Sequence, residues 1–160
     1  MTTPGPFDLV FSRRLRARRA AVWRCWTEPD LLLQWFCPRP WRVTRAVIDL
    51  QSGGTFLTDM AGPDGATHTD TGGVYLEVTP GERLVFSSAL TAGWRPAPVA
   101  EHGFPMTVIL TFGDATDGGT QYDALVLHRD AAGRDMHLGM GFHDGWGQAT
   151  RQLDDLALTL

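Results

Sequence analysis

Five histidines, His68, His102, His128, His137 and His143, are the first residues that could carry acid–base or metal chemistry. None pairs as H-x-x-x-H and no H-E-x-x-H occurs, so no two lie one helical turn apart as zinc ligands would. His137 and His143 are six residues apart, well separated around a helix, and would need a third ligand from His128 or a carboxylate. No metal and no cofactor is therefore expected. His128 alternates with Tyr122, Ala124 and Val126. If that face lines an interior, His128 is a polar group in apolar surroundings and could orient a ligand; if it faces out, it does nothing. His143 offers the same choice. For proton transfer the candidates are His128, His143, Tyr75 and Glu77. Nucleophilic chemistry has little support. There is no G-x-S-x-G, and lysine is absent altogether, which removes Schiff-base catalysis and the phosphate-loop motif. Cys25 and Cys37 are twelve residues apart, form no C-x-x-C, and read as buried small hydrophobes.

Binding chemistry has more material. The stretch "VWRCWTEPDLLLQWFCPRPW", Val22 to Trp41, holds four of the six tryptophans. Most such indoles pack a core, and each buried N–H then needs an acceptor. Trp35 and Phe36 stand just before the break at Pro38, where short helices would border a cavity mouth, and are candidates for ligand contact. Trp94 sits in "TAGWRPAPVAEHGFP", Thr91 to Pro105, whose three prolines and length suggest a lid or binding loop. "RRLRARR", Arg13 to Arg19, holds five of the fourteen arginines and reads as a solvated rim rather than an RNA patch.

The elements that must position these residues follow from periodicity. Phe7 to Leu15 alternates as a first strand, and a short helix runs from about Arg18 to Pro29. Thr27 looks like the N-cap of a second, with Asp30 as its capping-box acid and Leu31, Leu32, Trp35 and Phe36 as its apolar side. "CPRPW" ends it, because two prolines in three residues cannot continue a helix. Strands are expected at Trp41–Leu50, Thr55–Met60, His68–Val78, Arg83–Leu90, Met106–Phe112 and Thr120–Arg129, with glycine-rich turns between them. One long helix is expected from about Arg134 to Leu158. It carries Phe142, Trp146, Ala149, Leu153 and Leu156 on one stripe and Met136, Met140, His143 and Gly147 on the next. Asp154 and Asp155 are placed on its outer side. Gly139, Gly141, Gly145 and Gly147 each cost ~1 kcal/mol against alanine, which calls for a close approach to the sheet or room left for a ligand.

The 160 residues, 43% hydrophobic and 20% charged, fit one globular domain spanning 1–160. A net charge of −4 gives no field that would draw the chain to nucleic acid. No apolar run is long enough for a membrane span, and no basic, apolar leader opens the chain, so a cytoplasmic location is expected.

The order of elements resembles the helix-grip, START-like (SRPBCC) superfamily: α+β, a curved antiparallel sheet of about six to seven strands, two short helices after the first, and a long C-terminal helix across it. "VWRCWTEPDLLLQWFCP", "DLQSGGTF", "GGVYLEVTPGERLVF", "GTQYDALVLHRD" and "MGFHDGWGQATRQLDDL" occur in order. They are similar to the bacterial branch named after the activator of the ninety-kilodalton heat-shock-protein ATPase. The resemblance implies a pocket between sheet and long helix for a hydrophobic small molecule, and hands over no catalytic set. The residues expected to contact a ligand are Trp35, Phe36, Phe56, Tyr75, Trp94, His128, Met140 and His143. An enzyme using the same cavity, and a co-chaperone-like protein-binding module, are the alternatives. A homodimer through Leu125 and Leu127 on the convex face stays open.

Overall fold

The computed structural model describes residues 3–69, 72–98 and 103–160. β1 (Asp8–Leu15) leads into α1 (Arg19–Thr27) and the single turn α2 (Pro29–Leu32). β2 (Arg42–Ile48), β3 (Thr55–Ala61), the short β4 (Thr67–Thr69), β5 (Gly73–Thr79) and β6 (Arg83–Ser87) follow. A small hairpin of β7 (Leu90–Thr91) and β8 (Arg95–Pro96) precedes β9 (Met106–Asp114) and β10 (Thr120–His128). The chain closes with α3 (Ala131–Gly139) and α4 (Phe142–Ala157).

Seven strands form one antiparallel path, β1-β10-β9-β6-β5-β3-β2, with β4 added on β3. This is the α+β helix-grip architecture: a curled half-barrel with α4 packed against its concave side. Alternation decides which residues meet. On β10, Thr120, Tyr122, Ala124, Val126 and His128 are all buried, and β1 aligns Phe11 with Ala124 and Leu9 with Val126. β9 adds Val108, Leu110 and Phe112 to the same layer. Leu125 and Leu127, on the other face, are only half-buried.

Four expectations change. The single C-terminal helix is two. Asp130 caps α3 by accepting from the Gly133 amide at 2.8 Å, and Gly141 adopts φ 84°, which ends one helix and starts the next. Glu28, not Thr27, precedes α2; Thr27 instead donates its hydroxyl to the Trp23 carbonyl, so no capping box forms. Past Leu32 the chain continues as turns rather than helix, with Trp35 and Phe36 amides both reaching the Leu32 carbonyl. The strand expected over His68–Val78 is divided between β4 and β5, around two residues outside the described set.

Asp154 is a further correction. It is buried, because its carboxylate accepts from the backbone amides of Ala17 (2.9 Å) and Arg16 (3.2 Å) and from the Arg16 side chain (3.0 Å). Asp155 is exposed and meets the same arginine. The basic run is thus partnered rather than merely solvated: Arg14 pairs with Asp117 and Arg19 with Asp114.

Candidate functional site

The two proline-flanked turns after α2 place Trp35 to Pro38 against α4, and a glutamine holds them there. Gln152 of α4 donates its amide to the carbonyls of Trp35 (2.9 Å) and Cys37 (2.8 Å) and accepts from the Arg39 amide (3.1 Å). It is buried, and it satisfies three backbone groups in a segment that no helix or strand serves. Nothing in the local pattern singles this residue out; only its polarity on an otherwise apolar stripe could have drawn notice.

Between this segment, the concave sheet and α4 lies an apolar recess of about 350 Å³. Trp26 of α1, Trp35 and Phe36 form one wall. Phe86, Met106, Val108 and Tyr122 supply the sheet side. His137 and Met140 from the end of α3, with Phe142, Gly145, Trp146 and Ala149 of α4, supply the helix side. Gly145 explains one of the costly glycines: a Cβ there would stand 3.8 Å from Pro38, so a longer side chain would grow into this space. Met140, 72% exposed at the α3–α4 break, sits where the recess meets solvent.

Trp35 is fixed by packing as well as by its place on the wall. Its indole N–H donates to the Cys25 carbonyl at 2.9 Å, and its ring meets that of Trp26 edge-on at 4.8 Å. Trp26 has no such partner. It is 2% exposed, and its Nε1 finds no acceptor at hydrogen-bond geometry. That nitrogen lies near the Tyr122 hydroxyl, whose pKa burial pushes up and the neighbouring N–H partly lowers.

Of the expected contact residues, Trp35, Phe36 and Met140 line the recess. Phe56 and Tyr75 are buried one layer behind it: Phe56 packs on Phe36 (5.9 Å), Phe86 (4.8 Å) and Tyr75 (5.3 Å). Tyr75 is fully buried, its hydroxyl has no partner, and burial raises its pKa, so it stays protonated. Trp94 is elsewhere. It is 53% exposed at the tip of the β7–β8 hairpin, with φ 65°, and its indole lies over Gly53, where a Cβ would come within 2.9 Å of the ring. Residues 99–102 of the expected lid, His102 included, lie outside the described residues. His143 is exposed and stacks edge-on against Phe142 at 5.0 Å, outside the recess. A residue one step from the buried Phe142 on a helix points some 100° away from it, which is why His143 does not share its surroundings.

His128 does face inward, but it is not itself on the recess wall. Its Nδ1 meets the Phe7 carbonyl at 2.8 Å and its Nε2 meets Nδ1 of His137 at 2.9 Å. His137 is the residue that reaches the recess, although in the sequence it stands out only as a possible metal ligand. Burial, then the nearby His128, lowers its pKa to about 4. Glu77 is exposed and pairs with Arg83. Among the described residues no two of His128, His143, Tyr75 and Glu77 are hydrogen-bonded to each other, and no three His, Cys, Asp or Glu side chains gather as a metal site would require. Both cysteines are buried and reduced; burial raises the Cys25 thiol to about 11 and shifts Cys37 upward too. No helix of the described residues is long and apolar enough to cross a membrane.

Known proteins place this architecture. No curated protein matches the chain. A crystal structure of a protein from Nitrosomonas europaea is 38% identical, with 95% of this chain and 94% of that one covered and a TM-score of 0.88. A protein from Rhodobacter sphaeroides is 26% identical over 99% and 97% of the two chains, at a TM-score of 0.81. A solution structure from Arthrobacter aurescens shares the fold at 20% identity, with 96% and 87% covered and a TM-score of 0.81. Residues 16–157 match the family model described as activator of Hsp90 ATPase homolog 1-like protein, and the chain belongs to that family.

Proposed function

We propose that this protein binds a small, mostly apolar molecule in the recess between the sheet and α4. The observation that carries the reading is the recess itself: about 350 Å³, walled by aromatic and methionine side chains, with only a few polar atoms among them. Ligand sites of this kind run from about 300 to 1,000 Å³ and combine apolar walls with a few orienting polar groups. Apolar contact supplies most of the affinity at roughly 25 cal/mol per Å² buried, less the cost of immobilising the ligand.

The test uses a hydrophobic fluorescent probe, anilinonaphthalene sulfonate, and the protein's own tryptophans. Trp26, Trp35 and Trp146 line the recess, so bound probe should quench their emission. Gly145→Leu extends a side chain into the space while gaining about 1 kcal/mol of helix propensity. It should fold and lose binding at least tenfold. Equal binding by the parent and Gly145→Leu would place the probe elsewhere and remove the reading.

A further inference from the structure

Gly147 lies in the body of α4 and is buried, yet nothing around it excludes a side chain. Outside the helix's own backbone, a Cβ built there would meet two atoms: Nη2 of Arg13 at 3.6 Å and Nη1 of Arg151 at 3.7 Å. Both are ordinary contact distances, so alanine would fit and would favour the helix. What the glycine leaves instead is a methyl-sized opening roofed by two guanidinium groups.

The two cations come from different elements, and neither has a counter-ion. β1 turns Leu9, Phe11, Arg13 and Leu15 to one side, and Arg13 is the charged member of that row. Its register partner, Tyr122, is buried in the same layer. The Arg13 guanidinium is held in place: Nη1 donates to the Ser12 carbonyl at 2.8 Å, and Cζ rests 4.3 Å over the Phe11 ring. Arg14, Arg16 and Arg19 all meet carboxylates, but among the described residues Arg13 forms no ion pair. Arg151 forms none either. Asp155, one turn further along α4, is the partner its spacing favours, but Arg16 takes that carboxylate at 2.8 Å and Asp154 at 3.0 Å. Asp144, one turn before Gly147, is beyond ion-pair distance of both arginines. Two like charges brought to one point repel each other unless an anion joins them.

We propose that Arg13 and Arg151 form an oxyanion clamp over Gly147, in the angle between β1 and α4, and that it takes a phosphate group, free or as a monoester. Each guanidinium offers a planar fork of N–H donors that matches two oxygens of one phosphate. A phosphate monoester carries about −1.5 to −2 charges at pH 7, which balances two arginines where a single carboxylate balances one. The opening at Gly147 lets an oxygen approach the helix where a Cβ would otherwise stand. Both arginines are exposed, so the remainder of a larger phosphorylated molecule can extend into solvent. Neither arginine nor Gly147 lines the apolar recess, so the clamp stands or falls independently of binding there.

The test follows the arginine Nε–H signals of the full chain by nitrogen-15 NMR. Inorganic phosphate, methyl phosphate and acetate are titrated in turn, with sodium chloride holding the ionic strength constant. Both phosphates should shift Arg13 and Arg151 saturably and leave Arg14 and Arg19, already paired, in place. Acetate should bind at least about threefold more weakly. Arg13→Gln and Arg151→Gln should each weaken phosphate binding about tenfold. Gly147→Ala should raise the melting temperature without phosphate by about 2–4 °C and weaken phosphate binding at least about threefold. A response that does not saturate, equal movement of all four arginines, or a glutamine variant that binds like the parent would mean a diffuse ionic atmosphere and overturn the proposal. Acetate binding as tightly as phosphate would overturn the choice of phosphate. Methyl phosphate binding assigns the clamp to phosphorylated molecules, whereas binding of inorganic phosphate alone assigns it to the free ion. The parent titration decides the matter even where a variant does not fold.

Discussion

The burial of His137 has a price in acid. Its pKa is lowered from 6.5 to about 4, first by burial and then by His128, the titratable group packed against it from β10. The other neighbours are the rings of Phe104 and Phe142, and among the described residues no carboxylate pairs with it. Between those two values the unfolded chain binds a proton that the folded one refuses, so stability rises with pH through the window. The folded state is at full strength above about pH 6.5 and weakens as pH falls towards 4. His137→Phe should flatten that segment of the stability–pH curve, measured by urea denaturation at pH 7.0, 6.0 and 5.0. Parallel curves for parent and variant would show that the ring is not desolvated as described. That His128 shares one face with Tyr122, Ala124 and Val126 was legible, because alternation along β10 is unbroken, but which face turns inward was not. Its partnership with His137 was not, because it depends on the Asp130-capped turn that folds α3 back over the end of β10.

Elements were legible wherever one period ran long enough to bury a face. The seven main strands and α1 follow from alternation and helical spacing, and the cost of four glycines in twenty-five residues did signal something irregular near the C-terminus. What spacing could not distinguish was one helix with a weak start from two helices joined at a left-handed Gly141. Trp94 misled for a related reason: the tip of a hairpin that is itself pinned, by the Gly93 amide on the Gly53 carbonyl, looks in sequence like a free lid. The turn from Trp35 to Arg39 has no ladder of its own, so its order depends on Gln152. Gln152→Ala would strand two buried carbonyls and one amide and should cost about 1–3 kcal/mol. It should also loosen the wall that Trp35 forms, lowering probe affinity along with the melting temperature. Gln148→Ala, which loses an exposed bond to the Arg39 carbonyl and a long one (3.5 Å) to Oε1 of Gln152, is the control and should change stability by no more than about 0.5 kcal/mol. Equal effects of the two would contradict a special role for Gln152.

At the scale of the molecule, the question is what holds α4 at a fixed height over a sheet from which it is separated, in part, by empty space. Apolar contact secures it in part, through Phe142, Ala149, Leu153 and Ala157 and the Trp146 ring on Phe11. The corner between β1 and α1 supplies the rest. Asp154 accepts the amides of Arg16 and Ala17, and on the other side of the same corner Thr120 of β10 donates to the Ala17 carbonyl at 2.7 Å. Three elements therefore meet at two residues, through bonds mostly shielded from water. Helical position alone puts Asp154 on the outer side of the helix, and the chain corner that reaches out to meet it is invisible in one dimension. Asp154→Ala leaves the buried Ala17 amide unpaired and should cost about 1–3 kcal/mol. For a chain of this size that lowers the melting temperature by about 2–4 °C per kcal/mol. Asp155→Ala removes only an exposed ion pair with Arg16, worth at most about 1 kcal/mol, and should be near neutral. If the corner also sets the width of the recess, hydrogen exchange in Asp154→Ala should quicken at α4 amides near Gly145 and Trp146 before the strands lose protection. Uniform loss of protection would instead mean that Asp154 stabilises the whole fold without governing the gap beneath the helix.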